Sequence, residues 1–375
     1  MPAARQLFST IDHDNRLVLT LEPVSSPEPG PDEVLVAVQA VPINPSDLGV
    51  LVGPADLSTA RRSEVDGHPA LVAEVPAALH RAVAGRVGKK LKVGNEGAGR
   101  VVAAGSSAAA QALLGRTVTA VGGAMLTTHR LLKAAAVLPL PEGATAGEGA
   151  SLFVNPMTVQ AFLTTMEQEG HTAIVHTAAA SSLGQMLAKL CKKQGVPLVA
   201  IVRRGSQRDL LAELGVPHIV DSSTDTFFGD LVQALVATEA TLCFDAVGGG
   251  SLANTVLAAM EAALCARGLP ADLYGTTVHK QVYQYGRLDT GPTELTGSYG
   301  MYWGVAGWLV SPRLSALGPK RTLEMRRYAV EERNGIFASH YAETVGLDDL
   351  LDPDTARAVN KKGTHGKVLV DPSRG

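Results

Sequence analysis

The sequence predicts a two-domain α/β protein, with a β-rich half followed by a doubly wound, parallel-sheet half. Three observations predict it. At 375 residues the chain exceeds what one hydrophobic core usually organises. Residues 1–150 carry short apolar runs punctuated by Gly and Pro. From about Gly149 onward, strand-like and helix-like patterns alternate, as they do where helices cover both faces of a parallel sheet.

In order, "DEVLVAVQAVPI" reads as a strand, and "GRVVAAG" and "RTVTAVGG" as two more, with turns at 29–31 and 41–47. Residues 53–92 interrupt this pattern. "VPAALHRAVAGRVGKK" has helical spacing and a basic face, so an inserted helical flap is expected there. In the second half "HTAIVHT" leads into a helix from about Ser182 to Gln194, with Leu183, Met186, Leu187, Leu190 and Cys191 on one face. Gly195 closes that helix as its C-cap. "VPLVAIVRR", "PHIVDS" and "ATLCFDAVGGG" follow as strands, each separated from the next by a helical stretch, and "KQVYQYGRL" is expected to close the sheet. The tail, ending "HGKVLVDPSRG", reads as a helix–strand unit that returns to the first domain.

Composition excludes several classes of function. A net charge of −3 and 4% aromatic residues argue against nucleic-acid binding and anionic-membrane binding. No apolar run of membrane-spanning length occurs, and "MPAARQLFSTIDHDNR" has no signal-peptide core, so a cytoplasmic location is expected. The three cysteines fit a reducing compartment. No Cys/His cluster has zinc spacing and no G-x-S-x-G elbow occurs, so the expected chemistry uses no metal.

Three stretches carry the functional signal. "HTAAASSLGQM" has the outline of a dinucleotide-binding turn with Ala and Ser in place of most glycines. Ala and Ser serve there if the backbone stays at negative φ, and Gly184 keeps a slot free of side chain. Ser181 and Ser182 lie at a helix N-terminus, which favours an anion; an ordinary Ser cap on a core helix is the plain alternative. At the end of the next strand, "IVRRGSQR" offers Arg203, Arg204 and Ser206 where an NAD-selective fold places an acid. Guanidinium groups there suit a ribose 2′-phosphate, so NADPH is the expected cofactor. "CFDAVGGGS" leaves space at the carboxyl edge of the sheet.

The ordered run "PGPDEVLVAVQAVPINPSD", "VGNEGAGRVVAAG", "GASLFVNPMTVQAF", the strand–helix–strand unit and "FDAVGGG" resembles the medium-chain dehydrogenase/reductase superfamily. It is most similar to the zinc-free branch of quinone oxidoreductases and enoyl-thioester reductases. The resemblance implies a GroES-like catalytic domain at 1–150 and 330–375 with an insertion at 53–92, and a Rossmann NADPH-binding domain at 151–329. Asn95 stands where zinc-dependent relatives have a ligand His. By similarity, Asn44 lies beside the nicotinamide, with Asn155, Pro156 and Thr158 lining the cofactor site. The turn Ala180, Ser181, Ser182, Leu183 then holds the pyrophosphate, and Arg203, Arg204 and Ser206 the 2′-phosphate. Val247, Gly248, Tyr285 and Gly286 flank the nicotinamide, and Lys367 is a further cofactor contact.

One departure is plain. Enoyl-thioester reductases of this kind place a catalytic Tyr shortly after "NPSD", whereas this chain reads "LGVLVGPADLS" there. The expected function is therefore zinc-independent, NADPH-dependent hydride transfer to a quinone or similar conjugated carbonyl, with Asn44 steadying the developing oxyanion. An enoyl-thioester or enone reductase is the first alternative, its proton donor relocated to Tyr283, Tyr285, Tyr299 or Tyr302. A non-catalytic NADPH-binding protein is the second. The resemblance also implies a homodimer, joined along a sheet edge near residues 280–288.

Overall fold

The computed structural model describes residues 4–361 and 367–374. The chain divides into two compact units, Met1–Val154 with Arg326–Gly375, and Asn155–Met325.

The first unit is built from antiparallel sheets over one apolar core that includes Leu7, Leu19, Val36, Val101 and Val118. Its longest strand, Glu33–Pro42, pairs antiparallel with Glu96–Ala104 and with His129–Lys133. The C-terminal strand Lys367–Val370 joins the same strand, Leu369 opposite Pro42, and also pairs in parallel with Tyr341–Val345. The tail therefore completes the sheet of this unit.

Residues 53–92 are not a helical flap. The first half of the segment is a hairpin of two strands, Asp56–Val65 and His68–Glu74, added to the sheet through Arg16–Val24. Asp66 and Gly67 turn it with φ of 53° and 77°, both in the left-handed region that two-residue hairpin turns of this hand require. The Asp-Gly pair was the available signal. It was masked because "STARRSEV" is largely exposed and charged, as edge strands commonly are, and so shows no alternation. The helical spacing in "VPAALHRAVAGRV" produces only the turns Ala77–Leu79, His80–Val83 and Ala84–Arg86. Only Val83 among them is buried, so no apolar stripe holds a longer helix.

The second unit carries six parallel strands in the order His218–Asp221, Leu198–Val202, Ile174–His176, Leu242–Asp245, Lys280–Gln284, Trp303–Gly307. The order steps outward in both directions from Ile174–His176, which makes the sheet doubly wound. Lys280–Gln284 does not close this sheet. Trp303–Gly307 pairs along its outer side, Lys280 opposite Trp303, so 280–284 is internal and 303–307 is the edge. Two glycines in "WGVAG" weaken its strand signal.

The Ser182–Gln194 helix begins and ends where its sequence predicts. The Ser181 Oγ accepts the Gly184 N–H at 3.2 Å, and Gly195 ends the helix at φ 69°. A turn held at negative φ throughout is not what forms, however. Ala178 sits at φ 51°, a left-handed conformation that costs a residue with a Cβ about 1 kcal/mol. Phe162 and Phe244 stack at 3.8 Å between ring centroids, with Trp308 edge-on to both, which packs the Val154–Gln168 helix against the sheet.

Candidate functional site

In the second unit the site is the carboxyl edge of the sheet. Ile174–His176 pairs in parallel with Leu198–Val202, so the turn after the first and the arginines after the second leave the sheet side by side. Ala180 is buried, and Ser181, Ser182 and Leu183 are half-buried. The first intrahelical bond here runs from the Gln185 N–H to the Ser181 carbonyl. The Ser182 and Leu183 amides therefore precede it, at the positive end of the helix. A Cβ on Gly184 would lie 2.1 Å from the Ala179 carbonyl oxygen, so the turn closes against the helix only because this position is glycine. That tight cradle fits a diphosphate. Arg203, Arg204 and Ser206 are exposed at the start of the Gly205–Glu213 helix, and the Arg203 N–H is held by Gln207 Oε1 at 3.0 Å.

At the next strand end, Asp245 is buried and organises the backbone. Its Oδ1 accepts the Thr177 hydroxyl at 2.7 Å and the Val247 N–H at 2.9 Å, and its Oδ2 accepts the Gly248 N–H at 3.0 Å. Gly248 and Gly286 come together, since a Cβ on Gly248 would lie 2.8 Å from the Gly286 carbonyl oxygen. Tyr285 joins the same group. Its hydroxyl lies 2.8 Å from Nε2 of His176, which is fully buried. Burial lowers the His176 pKa to about 3, so the imidazole is neutral, and burial also raises the Tyr285 phenol. Neither shift makes Tyr285 a readier acid. Asn155 and Thr158 occupy the first turn of the Val154–Gln168 helix, both buried.

The remaining tyrosines are differently placed. The Tyr283 hydroxyl donates to the Glu169 carboxylate at 2.9 Å, Tyr299 is fully buried, and Tyr302 is exposed.

Asn44 and Lys367 lie in the first unit, within a buried polar cluster. Asn44 caps the Pro45–Leu51 helix and its backbone N–H donates to Asp47 Oδ2 at 2.9 Å. Its Nδ2 donates to Glu96 Oε1 at 2.9 Å, and its Oδ1 accepts from Lys367 Nζ at 2.8 Å. The Asn44 amide is thus engaged at both ends, and its side chain also contributes a hydrogen bond to Asp47. Glu96 is fully buried and also accepts the Phe153 and Val154 N–H groups at 2.7 and 2.9 Å. Ser151 accepts from Lys367 at 3.4 Å and from the Tyr341 hydroxyl at 3.0 Å. Burial, with Glu96 adding to it, raises the Asp47 pKa to about 6 despite the amides that donate to it. Asn95 donates from Nδ2 to Ser46 Oγ at 3.0 Å. Among the described residues no group of three His, Cys, Asp or Glu side chains is placed to hold a metal ion. No described helix is long and apolar enough to cross a membrane.

The sequence reading did not find Glu96, Asp47, Ser151, Tyr341, Thr177, His176 or Asp245. Asp245 stood in "FDAVGGG", where an acid followed by small residues signals a carboxylate receiving backbone N–H groups. The others carried no local signal.

No protein-family model matches the chain. Among curated proteins it is 26% identical over 242 residues to the synaptic vesicle membrane protein VAT-1 homolog of Rattus norvegicus, covering 64% of this chain and 52% of that protein. It is 28% identical over 228 residues to the mitochondrial enoyl-[acyl-carrier-protein] reductase of Xenopus tropicalis, covering 58% and 56%. The chain thus spans about half the length of the curated relatives it matches. Among solved structures it is similar to a protein of Mesorhizobium loti provisionally assigned as an NADPH:quinone reductase, with a TM-score of 0.72, 23% identity and 99% of each chain covered. A mutant enoyl thioester reductase of Candida tropicalis gives a TM-score of 0.68 at 19% identity, covering 99% of this chain and 100% of that one. These likenesses show the fold: a β-rich domain and a doubly wound parallel-sheet domain.

Proposed function

We infer that the chain is a zinc-independent, NADPH-dependent oxidoreductase of the medium-chain dehydrogenase/reductase superfamily. It reduces a quinone or a similarly activated conjugated carbonyl. The observation that carries this reading is the Ser181-capped turn, closed on Gly184, with Arg203 and Arg204 at the end of the adjacent strand. Matches to enoyl reductases, and likeness in fold to quinone and enoyl reductases, support the reaction class.

When bound, NADPH supplies the hydride. The chain's own residues bind and orient. The Ser182 and Leu183 amides and the helix dipole hold the pyrophosphate, and Arg203, Arg204 and Ser206 take the 2′-phosphate through charge-assisted hydrogen bonds. Val247, Gly248, Tyr285 and Gly286 border the nicotinamide. In this reading Asn44, fixed by Glu96 and Lys367, has the role the resemblance gives it, steadying the oxygen on which negative charge develops. Quinones suit such a site because water can protonate their reduced oxygens.

The test is NADPH oxidation with a panel of quinones; no turnover with any acceptor would reject the reading. Removing the arginines tests the cofactor choice. The double substitution Arg203→Ala, Arg204→Ala is expected to weaken NADPH binding about 10- to 100-fold, given ~1.5–3 kcal/mol for a hydrogen bond to a charged group. NADH binding, read by the same fluorescence titration, is expected to stay nearly constant. Equal loss for both cofactors would place the arginines away from the 2′-phosphate.

A homodimer belongs to the same reading, along the edge strand Trp303–Gly307 rather than along the internal 280–284. Met301 and Tyr302 precede that strand and Leu309 follows it, all exposed. Sedimentation velocity is expected to show a dimer that Val305→Pro dissociates; a monomeric wild type rejects it.

A further inference from the structure

We propose that Asp245 is a positioning residue whose fixed negative charge favours the oxidised, cationic form of the bound nicotinamide. The proposal rests on the reading above, in which Val247, Gly248, Tyr285 and Gly286 border that ring. These residues and Asp245 all belong to the second unit.

Four observations carry it. First, Asp245 is 1% exposed, and both its oxygens act only as acceptors. The Thr177 hydroxyl and the Val247 N–H reach Oδ1, and the Gly248 N–H reaches Oδ2. All three donors are neutral, so they satisfy the oxygens without cancelling the charge. Second, the other titratable side chains of these strand ends are uncharged. Burial lowers the His176 pKa to about 3 and raises the Tyr285 phenol and the Cys243 thiol, with the Asp245 charge adding to both rises. Arg287, in the adjoining loop, is exposed and donates to the Thr290 and Gly291 carbonyls.

Third, the turn after Asp245 is fixed on every side. The Ala246 N–H donates to Thr177 Oγ1, and the Ala246 and Val247 carbonyls accept the Leu288 and Asp289 N–H groups. The Gly248 carbonyl accepts from Gln284 Nε2 and Thr293 Oγ1, each at 2.7 Å. Every N–H and carbonyl of 246–248 therefore has a protein partner, and the carboxylate stands behind a wall of set geometry. Fourth, the Tyr285 N–H donates to the Asp245 carbonyl at 2.9 Å, and Asp245 lies opposite Gln284 in the sheet. The two strand ends assigned to the ring thus leave the sheet together at this residue.

Burying a carboxylate is costly, and a neutral oxygen could accept from the same turn at a lower desolvation cost. The charge itself therefore calls for a role. Hydride transfer supplies one. A hydride leaves the neutral dihydronicotinamide with both electrons, the acceptor gains it, and the ring is left with one positive charge. A carboxylate fixed nearby, away from water, favours that charged ring over the neutral one. The effect is felt in the potential of the bound cofactor.

The test measures the dissociation constants of NADP⁺ and NADPH by titration calorimetry for the wild type, Asp245→Asn and Thr177→Val, with a thermal melt of each. Asp245→Asn removes the charge and keeps one acceptor oxygen. It is expected to weaken NADP⁺ about 10-fold more than NADPH, the scale of two unit charges about 10 Å apart at an effective dielectric of about 20. Thr177→Val removes a hydrogen bond from the same turn and keeps the charge. Its melt is expected to fall, and any loss of affinity is expected to be equal for the two nucleotides. Two results overturn the proposal: an unchanged affinity ratio in Asp245→Asn, or a shift in Thr177→Val as large as in Asp245→Asn. If Asp245→Asn does not fold, Asp245→Ser gives the same comparison. A wild type that binds neither nucleotide rejects the NADPH reading itself, whereas binding of both with an unchanged ratio rejects this proposal alone.

Discussion

Gly184→Val is expected to destabilise the second unit on the order of 3 kcal/mol and to abolish NADPH binding. The first side-chain atom alone would lie 2.1 Å from the Ala179 oxygen and 2.6 Å from its carbonyl carbon. Both are backbone atoms, so no rotamer change relieves the contact. The helix start must move away from the turn, and the Ser181 cap on the Gly184 N–H is lost with it. At roughly 2–4 °C per kcal/mol for a domain of this size, the melting temperature should fall by about 6–12 °C. Calorimetry and cofactor titration check both parts. An unchanged melt with full NADPH affinity would show that the turn does not close as described.

Glu96→Ala should weaken the first unit by about 3–5 kcal/mol, the usual scale for leaving buried charged partners uncompensated. Three donors converge on this carboxylate: Asn44 Nδ2 and the Phe153 and Val154 N–H groups. Each buried donor left unpaired costs about 1–3 kcal/mol. Lys367 also loses a nearby negative charge that favours its ammonium. Glu96→Gln should be milder, since its oxygen still accepts from the two backbone groups and only the Asn44 contact is lost, the Gln NH₂ facing the donor Nδ2. Denaturant melts of the two variants give the comparison. If Ala and Gln cost the same small amount, the carboxylate does not hold the cluster.

The parts of the fold that were legible share a cause. The Ser182–Gln194 helix, its Ser181 cap and its Gly195 terminus are short-range features, decided within about one helical turn of each other. The central strands of the parallel sheet, Ile174–His176, Leu198–Val202 and Leu242–Asp245, are largely apolar runs buried on both faces, so composition alone marks them. The Asp56–Glu74 hairpin escaped because its outer strand is charged and exposed, and only the Asp66–Gly67 turn marks it. The edge strand Trp303–Gly307 escaped because its glycines weaken the local preference. Its pairing with Lys280–Gln284 supplies what the side chains do not.

For the site, the sequence by itself determined the Ser181-capped turn closed on Gly184, the basic end of the next strand and the glycines that let Gly248 approach Gly286. Each depends on local backbone geometry or on a side chain's own charge. The tertiary structure alone decided which polar groups meet in the first unit. Lys367 reaches Asn44 across 323 residues, Asn44 reaches Glu96 across 52, and Glu96 reaches Phe153 across 57. A lysine, an asparagine and a glutamate far apart in a chain look like ordinary surface residues. Burial removes the water that would satisfy them, and each must then find its partner in the others.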